Sequence, residues 1–141
     1  DMVIGLGGKT QSMANAALTD NILVMDFAPQ LEVLDKAAVA ITHGGISTIN
    51  EALHKGVPLI VCSAGHVDQN GCMVRLVHHD VGVAASSDPI DPAELERCID
   101  DLLGEPGAKT RARVAELQDC LQRYDKNQSA VTFLRSMLND R

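Results

Sequence analysis

The chain predicts an α/β fold, a Rossmann-like parallel sheet with helices on both faces. Three observations predict it. Short aliphatic runs alternate along the chain with helical patterns, the order that builds a doubly wound sheet. Those runs are continuous rather than alternating, as in strands covered on both faces. Aromatics are scarce, with no Trp, one Tyr and two Phe, so a 45% hydrophobic chain must build its core from aliphatic side chains.

Each element has its own signal. Residues 2–6 (MVIGL) form an apolar run stopped by Gly7 and Gly8, and residues 21–25 (NILVM) repeat it. Residues 39–42 (VAIT), 57–62 (VPLIVC) and, more weakly, 81–85 (VGVAA) give three further strands. Helical patterns fill 30–36, 47–55 and 68–79. After 90 only helices follow. Residues 87–92 (SDPIDP) carry turn and cap chemistry, with Pro92 at a first-turn position. Leu95, Cys98, Ile99, Leu102 and Leu103 then share a face, and residues 104–107 break that helix. Val114, Leu117, Leu121 and Tyr124 make another stripe, followed by Val131, Leu134 and Leu138. One domain is predicted over 1–141, with a β/α core at 1–90 and terminal helices at 91–141. The chain starts at Asp1 almost directly on a strand, which suggests a piece of a longer protein.

Charge and composition narrow the function. Net charge is −7, and only Lys9, Lys36, Lys55 and Arg75 of the twelve cations precede residue 97. No basic stripe forms, which argues against nucleic acid. No apolar run has membrane-spanning length. Cys62, Cys72, Cys98 and Cys120 include no C-x-x-C pair and read as buried free thiols in a reducing, cytoplasmic setting.

GLGGKT at 5–10 resembles the end of a phosphate loop, but Val3 stands where the first glycine belongs, so it reads as a glycine turn after a strand. ITHGGISTINEAL at 41–53 is a stronger candidate. His43 falls at a strand's carboxyl edge, where open α/β sheets bind ligands. Gly44 and Gly45 permit a sharp turn close to a ligand. Ser47 and Thr48 open a helix whose N-terminus attracts an anion. Glu51 either closes a capping box with Thr48 or accepts from a sugar hydroxyl. Phe27, followed by Ala28, Pro29 and Gln30, either fills the core or stacks on a base. Asp68 and Gln69, after the fourth strand, either cap a helix or hold sugar hydroxyls.

Phe27-Ala28-Pro29-Gln30, then His43-Gly44-Gly45-x-Ser47-Thr48-x-x-Glu51-Ala52, then Gly56-Val57-Pro58, then Asp68-Gln69 resembles the donor-binding signature of the UDP-glycosyltransferases. That family includes plant secondary-metabolite glucosyltransferases and bacterial macrolide and carotenoid glycosyltransferases. The plant version has Asn where this chain has Ser47 and Trp where it has Ile46. The resemblance implies the carboxyl-terminal half of a GT-B enzyme. It implies that Phe27, Ala28 and Gln30 meet the base or ribose and Glu51 the ribose hydroxyls. His43, Gly44, Gly45, Ser47 and Thr48 would hold the phosphates, and Asp68 and Gln69 the sugar. The acceptor pocket and the catalytic base would lie in an amino-terminal domain absent from this sequence. No catalytic residue is therefore assigned among His43, His54, His66, His78 and His79.

The expected reaction moves a sugar from a nucleotide donor, with UDP-glucose the leading candidate, to a hydroxyl of a small-molecule acceptor. No metal or other cofactor is expected, and the chain by itself is expected to be inactive. Other readings are a non-catalytic nucleotide-sugar-binding subunit, and a lipid-linked N-acetylglucosaminyltransferase or epimerase on the same fold.

Overall fold

A computed structural model describes residues 1–9, 19–86 and 89–139. Thr10, Ser87 and Asp88, which the sequence places in turns, lie outside the described residues. The elements run β1 (Met2–Gly5), β2 (Ile22–Met25), α1 (Gln30–Leu34), β3 (Ala40–Thr42), α2 (Ile46–His54), β4 (Leu59–Val61), α3 (Val67–His78), β5 (Gly82–Ala84), α4 (Pro92–Leu103), α5 (Ala108–Lys126) and α6 (Ser129–Asn139). Each of the five expected strands and three expected early helices is present. The α/β Rossmann-like class holds, and every strand pair among the described residues is parallel.

The chain divides into two compact units, residues 1–37 and 38–141. In the first, β1 and β2 pair in register from Met2 opposite Ile22 to Gly5 opposite Met25. Leu6 N–H donates to Met25 O, and Gly7 and Gly8 then turn with φ of 58° and 83°. The glycine turn expected after the first strand is therefore real. Full coverage of this pair is not: Met2, Val3 and Leu23 are exposed. A strand with one neighbour leaves its side chains open wherever no other layer packs on them, however apolar its sequence.

In the second unit β4 lies between β3 and β5. Leu59, Ile60 and Val61 are fully buried, and Ile49, Ala52, Leu53, Val57, Leu76, Val81, Leu102 and Val114 extend the core around them. Gly82 on β5 allows close packing, since a Cβ there would lie 2.3 Å from both Leu59 O and Leu76 Cδ2.

The terminal helices are fixed at their ends by side chains. Asp91 accepts from Ala93 N–H at 3.0 Å at the start of α4, with Pro92 in its first turn. Arg111 of α5 donates to Leu102 O and Gly104 O where α4 stops. Gln118 of α5 donates to His54 O, the last residue of α2, at 3.2 Å, and His54 meets Asp125 at 3.2 Å. Three expectations change here. Leu103 and Tyr124 are exposed, because each falls at the margin of its apolar stripe. Val131, Leu134 and Leu138 of α6 are exposed as well, as that helix lays no face into the core. The four cysteines are free but only half-buried. Among the described residues no helix is long and apolar enough to cross a membrane.

Candidate donor-binding site

Thr42 ends β3, and its Oγ1 accepts from Gly44 N–H at 3.3 Å. Gly44 has φ of 95°, a left-handed conformation that favours glycine. Space makes the same demand, since a Cβ on Gly44 would sit 3.0 Å from Val61 Cγ1 and 3.2 Å from Gln69 O. The turn after β3 is thus pressed against the first turn of α3, and that contact gathers two of the candidate motifs. His43 is exposed and folds back over Gly45: a Cβ on Gly45 would lie 3.0 Å from its Nε2. The imidazole accordingly lies over the start of α2.

Gly45, in extended backbone, is the N-cap of α2, and as a glycine it brings no side-chain cap. A helix start without a side-chain cap presents N–H groups and the positive end of its dipole. Ser47 and Thr48 stand in its first turn, with Ser47 exposed and Thr48 half-buried. The capping-box reading of Thr48 and Glu51 does not hold. The box needs its hydroxyl residue at the N-cap, and the helix begins earlier, so Thr48 is already helical. Glu51 is half-buried in the second turn.

The second loop is built alongside. Cys62 N–H donates to Thr42 O at 2.9 Å, so β3 and β4 release their loops at the same edge. Ser63 is buried; its hydroxyl donates to Asn70 Oδ1 at 2.6 Å and accepts from Gly65 N–H at 3.4 Å. His66, exposed, is the N-cap of α3, and its side chain makes no cap hydrogen bond. Asp68 is therefore not a helix cap; it stands exposed in the first turn. Gln69 is half-buried, and its Oε1 is a buried acceptor with no hydrogen-bond partner among the described residues. Buried acceptors are nearly always satisfied, so such an atom calls for a donor from elsewhere. Nearby, burial raises the pKa of Cys62, and Cys98 and then Glu94 add to the shift, which keeps a neutral thiol at this edge.

Phe27, Ala28 and Gln30 belong to the first unit. Phe27 is 76% exposed, so core filler is not its role. Its ring edge runs beside the glycine turn, with Cζ 3.6 Å from where a Cβ on Gly8 would stand. Ala28 is half-buried, and Gln30 is the exposed first residue of α1.

The structure thus brings His43, Gly44, Gly45, Ser47, Thr48, Asp68 and Gln69 to one strand edge of the second unit, beside two helix starts. The parts that sequence reasoning missed are the buried hydroxyls of Thr42 and Ser63. Each shows a signal only in retrospect: a hydroxyl residue at a strand end with glycine two positions later.

Residues 1–123 match the family described as erythromycin biosynthesis protein CIII-like, C-terminal domain. The chain belongs to that family. Among curated relatives, the uncharacterized UDP-glucosyltransferase YdhE of Bacillus subtilis is 33% identical over 102 residues, covering 72% of this chain and 26% of its own. The zeaxanthin glucosyltransferase of Pantoea ananas is 31% identical over 115 residues, covering 82% and 26%. The chain therefore spans about a quarter of the length of these relatives. Among solved structures, the kitacinnamycin glycotransferase superposes with a TM-score of 0.83 at 25% identity, over 95% of this chain and 34% of that one. Os79 from O. sativa, in complex with UDP and deoxynivalenol-3-glucoside, gives 0.64 at 28% identity, over 70% and 24%. The fold is that of the carboxyl-terminal domain of a GT-B glycosyltransferase.

Proposed function

We propose that this chain is the donor-binding half of a glycosyltransferase that moves a hexose from a UDP-sugar to a hydroxyl of a small-molecule acceptor. The observation that carries the reading is the start of α2. A helix N-terminus with glycine at its N-cap lies behind a left-handed glycine turn, with the His43 ring folded over it and Ser47 and Thr48 in its first turn. Helix starts of this kind bind phosphate. The UDP bound by Os79 supports the choice of nucleotide.

In this reading the diphosphate lies against α2, held by the turn amides, His43, Ser47 and Thr48. Glu51 accepts from ribose hydroxyls. Asp68 and Gln69 take the sugar, where a donor hydroxyl would satisfy the buried Gln69 Oε1. The acceptor hydroxyl attacks the anomeric carbon, the bond from that carbon to the β-phosphate oxygen breaks, and the electron pair leaves with the diphosphate. Donors already fixed at that phosphate stabilise the growing charge without reorganising. The reading needs no metal. It places the acceptor pocket and general base in the part of the relatives' length that this chain does not span. A cytoplasmic setting fits the four free thiols.

The test is an amide-shift titration of this chain by NMR with UDP, UDP-glucose and dTDP-sugars. Saturable shifts at His43, Ser47 and Glu51 support the reading; their absence at millimolar nucleotide refutes it. In the full-length enzyme, His43→Ala should lower kcat/KM by about two orders of magnitude, a loss of ~3 kcal/mol, by comparison with oxyanion donors. Near-normal turnover of that variant would remove His43 from the phosphate site.

A further inference from the structure

Two turns leave neighbouring strands by the same construction. After β3 the order is Thr42, His43, Gly44, Gly45 and then α2; after β4 it is Ser63, Ala64, Gly65, His66 and then α3. In each, a hydroxyl accepts from the N–H of the glycine two residues on, at 3.3 Å for Thr42, the last residue of β3, and 3.4 Å for Ser63, two residues past the end of β4. In each, that glycine is left-handed, with φ of 95° at Gly44 and 88° at Gly65. In each, the next residue is an extended N-cap, with φ and ψ of −64° and 131° at Gly45 and −69° and 137° at His66. Thr42 and Ser63 are also the buried polar residues of the described chain, 9% and 7% exposed.

We infer that Thr42 and Ser63 are positioning residues, whose hydroxyls hold the two glycine turns, Thr42 serving the diphosphate half of the donor and Ser63 the sugar half. The inference rests on the donor-binding reading above. The physical argument is local. A cap side chain would satisfy the first helix amides and occupy the space in front of them. Here the hydroxyl acts one step earlier, on the glycine amide, and neither N-cap residue, Gly45 or His66, makes a side-chain cap bond. The Thr42 turn carries His43 and leads into Ser47 and Thr48. The Ser63 turn leads into Asp68 and Gln69, and Ser63 also ties itself to Asn70, the next residue along. Loss of either hydroxyl would remove the hydrogen bond that closes its turn and loosen that turn.

The division of labour is what the test reads. Calorimetric titration of this chain with UDP and with UDP-glucose gives two affinities per variant. Thr42→Val should weaken both ligands alike, by about fivefold to tenfold, the size of one lost hydrogen bond. Ser63→Ala should weaken UDP-glucose by a similar factor and leave UDP unchanged. Thr42→Ser and Ser63→Thr keep the hydroxyl and should restore affinity, which a merely steric role would not produce. Ser63→Ala that weakens both ligands, or neither, overturns the assignment. Should a variant fail to fold, the unaltered chain still decides by NMR: UDP should shift the Gly44 amide, and only UDP-glucose should also shift the Gly65 amide. Equal shifts at both with UDP alone overturn it. If the unaltered chain binds neither ligand, the donor-binding reading falls first and this inference with it.

Discussion

Residues 59–61 and 22–25 are both unbroken aliphatic runs, LIV and ILVM, and they end in different surroundings. In β4 all three side chains are fully buried, whereas in β2 Leu23 is 57% exposed. Composition does not separate them. Position in the sheet does: β4 has a hydrogen-bonded neighbour on each edge, while β1 and β2 pair only with each other among the described residues. An apolar run therefore specifies a strand, and the layers around it decide how far that strand is buried.

The largest effect expected from this contrast is in the core. Ile60→Ala should destabilise the chain by about 2–5 kcal/mol, because it removes apolar contact and leaves a cavity that close packing cannot fill. Leu23→Ala should cost less than ~1 kcal/mol, as a change on open surface. Urea unfolding of the two variants beside the parent measures both. Equal losses would mean that the β1–β2 face is covered in solution, and the contrast between the two regions would fail.

Two glycines sharpen the contrast within the second unit. Gly82→Ala drives a Cβ to 2.3 Å from the backbone of Leu59, so the strands must part, at about 1–3 kcal/mol. Gly71 lies inside α3 with open space where its Cβ would be. Gly71→Ala should raise stability by about 0.5–1 kcal/mol through helix propensity alone. Opposite signs in thermal unfolding are the expected result. A loss on Gly71→Ala would show that α3 is packed on a side that is open in this structure.

Much of this was legible in the sequence, and the exceptions share a cause. Periodicity and glycine punctuation located all five strands, and the His43-Gly44-Gly45 turn fell where a strand edge meets a helix. From sequence the helices start late, at Ser47 and Asp68, because polar residues attract a cap assignment. The chain instead starts those helices at Ile46 and Val67, after the N-caps Gly45 and His66. That shift puts Thr48, Glu51 and Asp68 inside their helices rather than at the N-cap. Leu103 and Tyr124 belong to their stripes yet stay exposed, because a stripe shows which residues are apolar, not how wide the face against the core will be. Phe27 could not be settled from sequence, as one aromatic after a strand suits core and surface alike.

The smallest effect expected is at an exposed corner of the second unit, where α3 gives way to β5. Asp80 holds a left-handed φ of 58°, and Lys109 Nζ lies 2.8 Å from its Oδ2. That hydrogen bond, then the Lys109 charge, lowers the Asp80 pKa below its ordinary value. A carboxylate with a lowered folded pKa stabilises the fold above its unfolded pKa, near 4, and loses that contribution as pH falls through the folded value. The expected signature is a small gap between the parent and Lys109→Met at neutral pH that closes in acid below about pH 4. Both side chains are open to water, so salt should close the same gap at neutral pH. Thermal unfolding at low and high salt, neutral and acid, reads all four corners. A gap that survives both salt and acid would mean that Lys109 acts through packing of its stem rather than its charge.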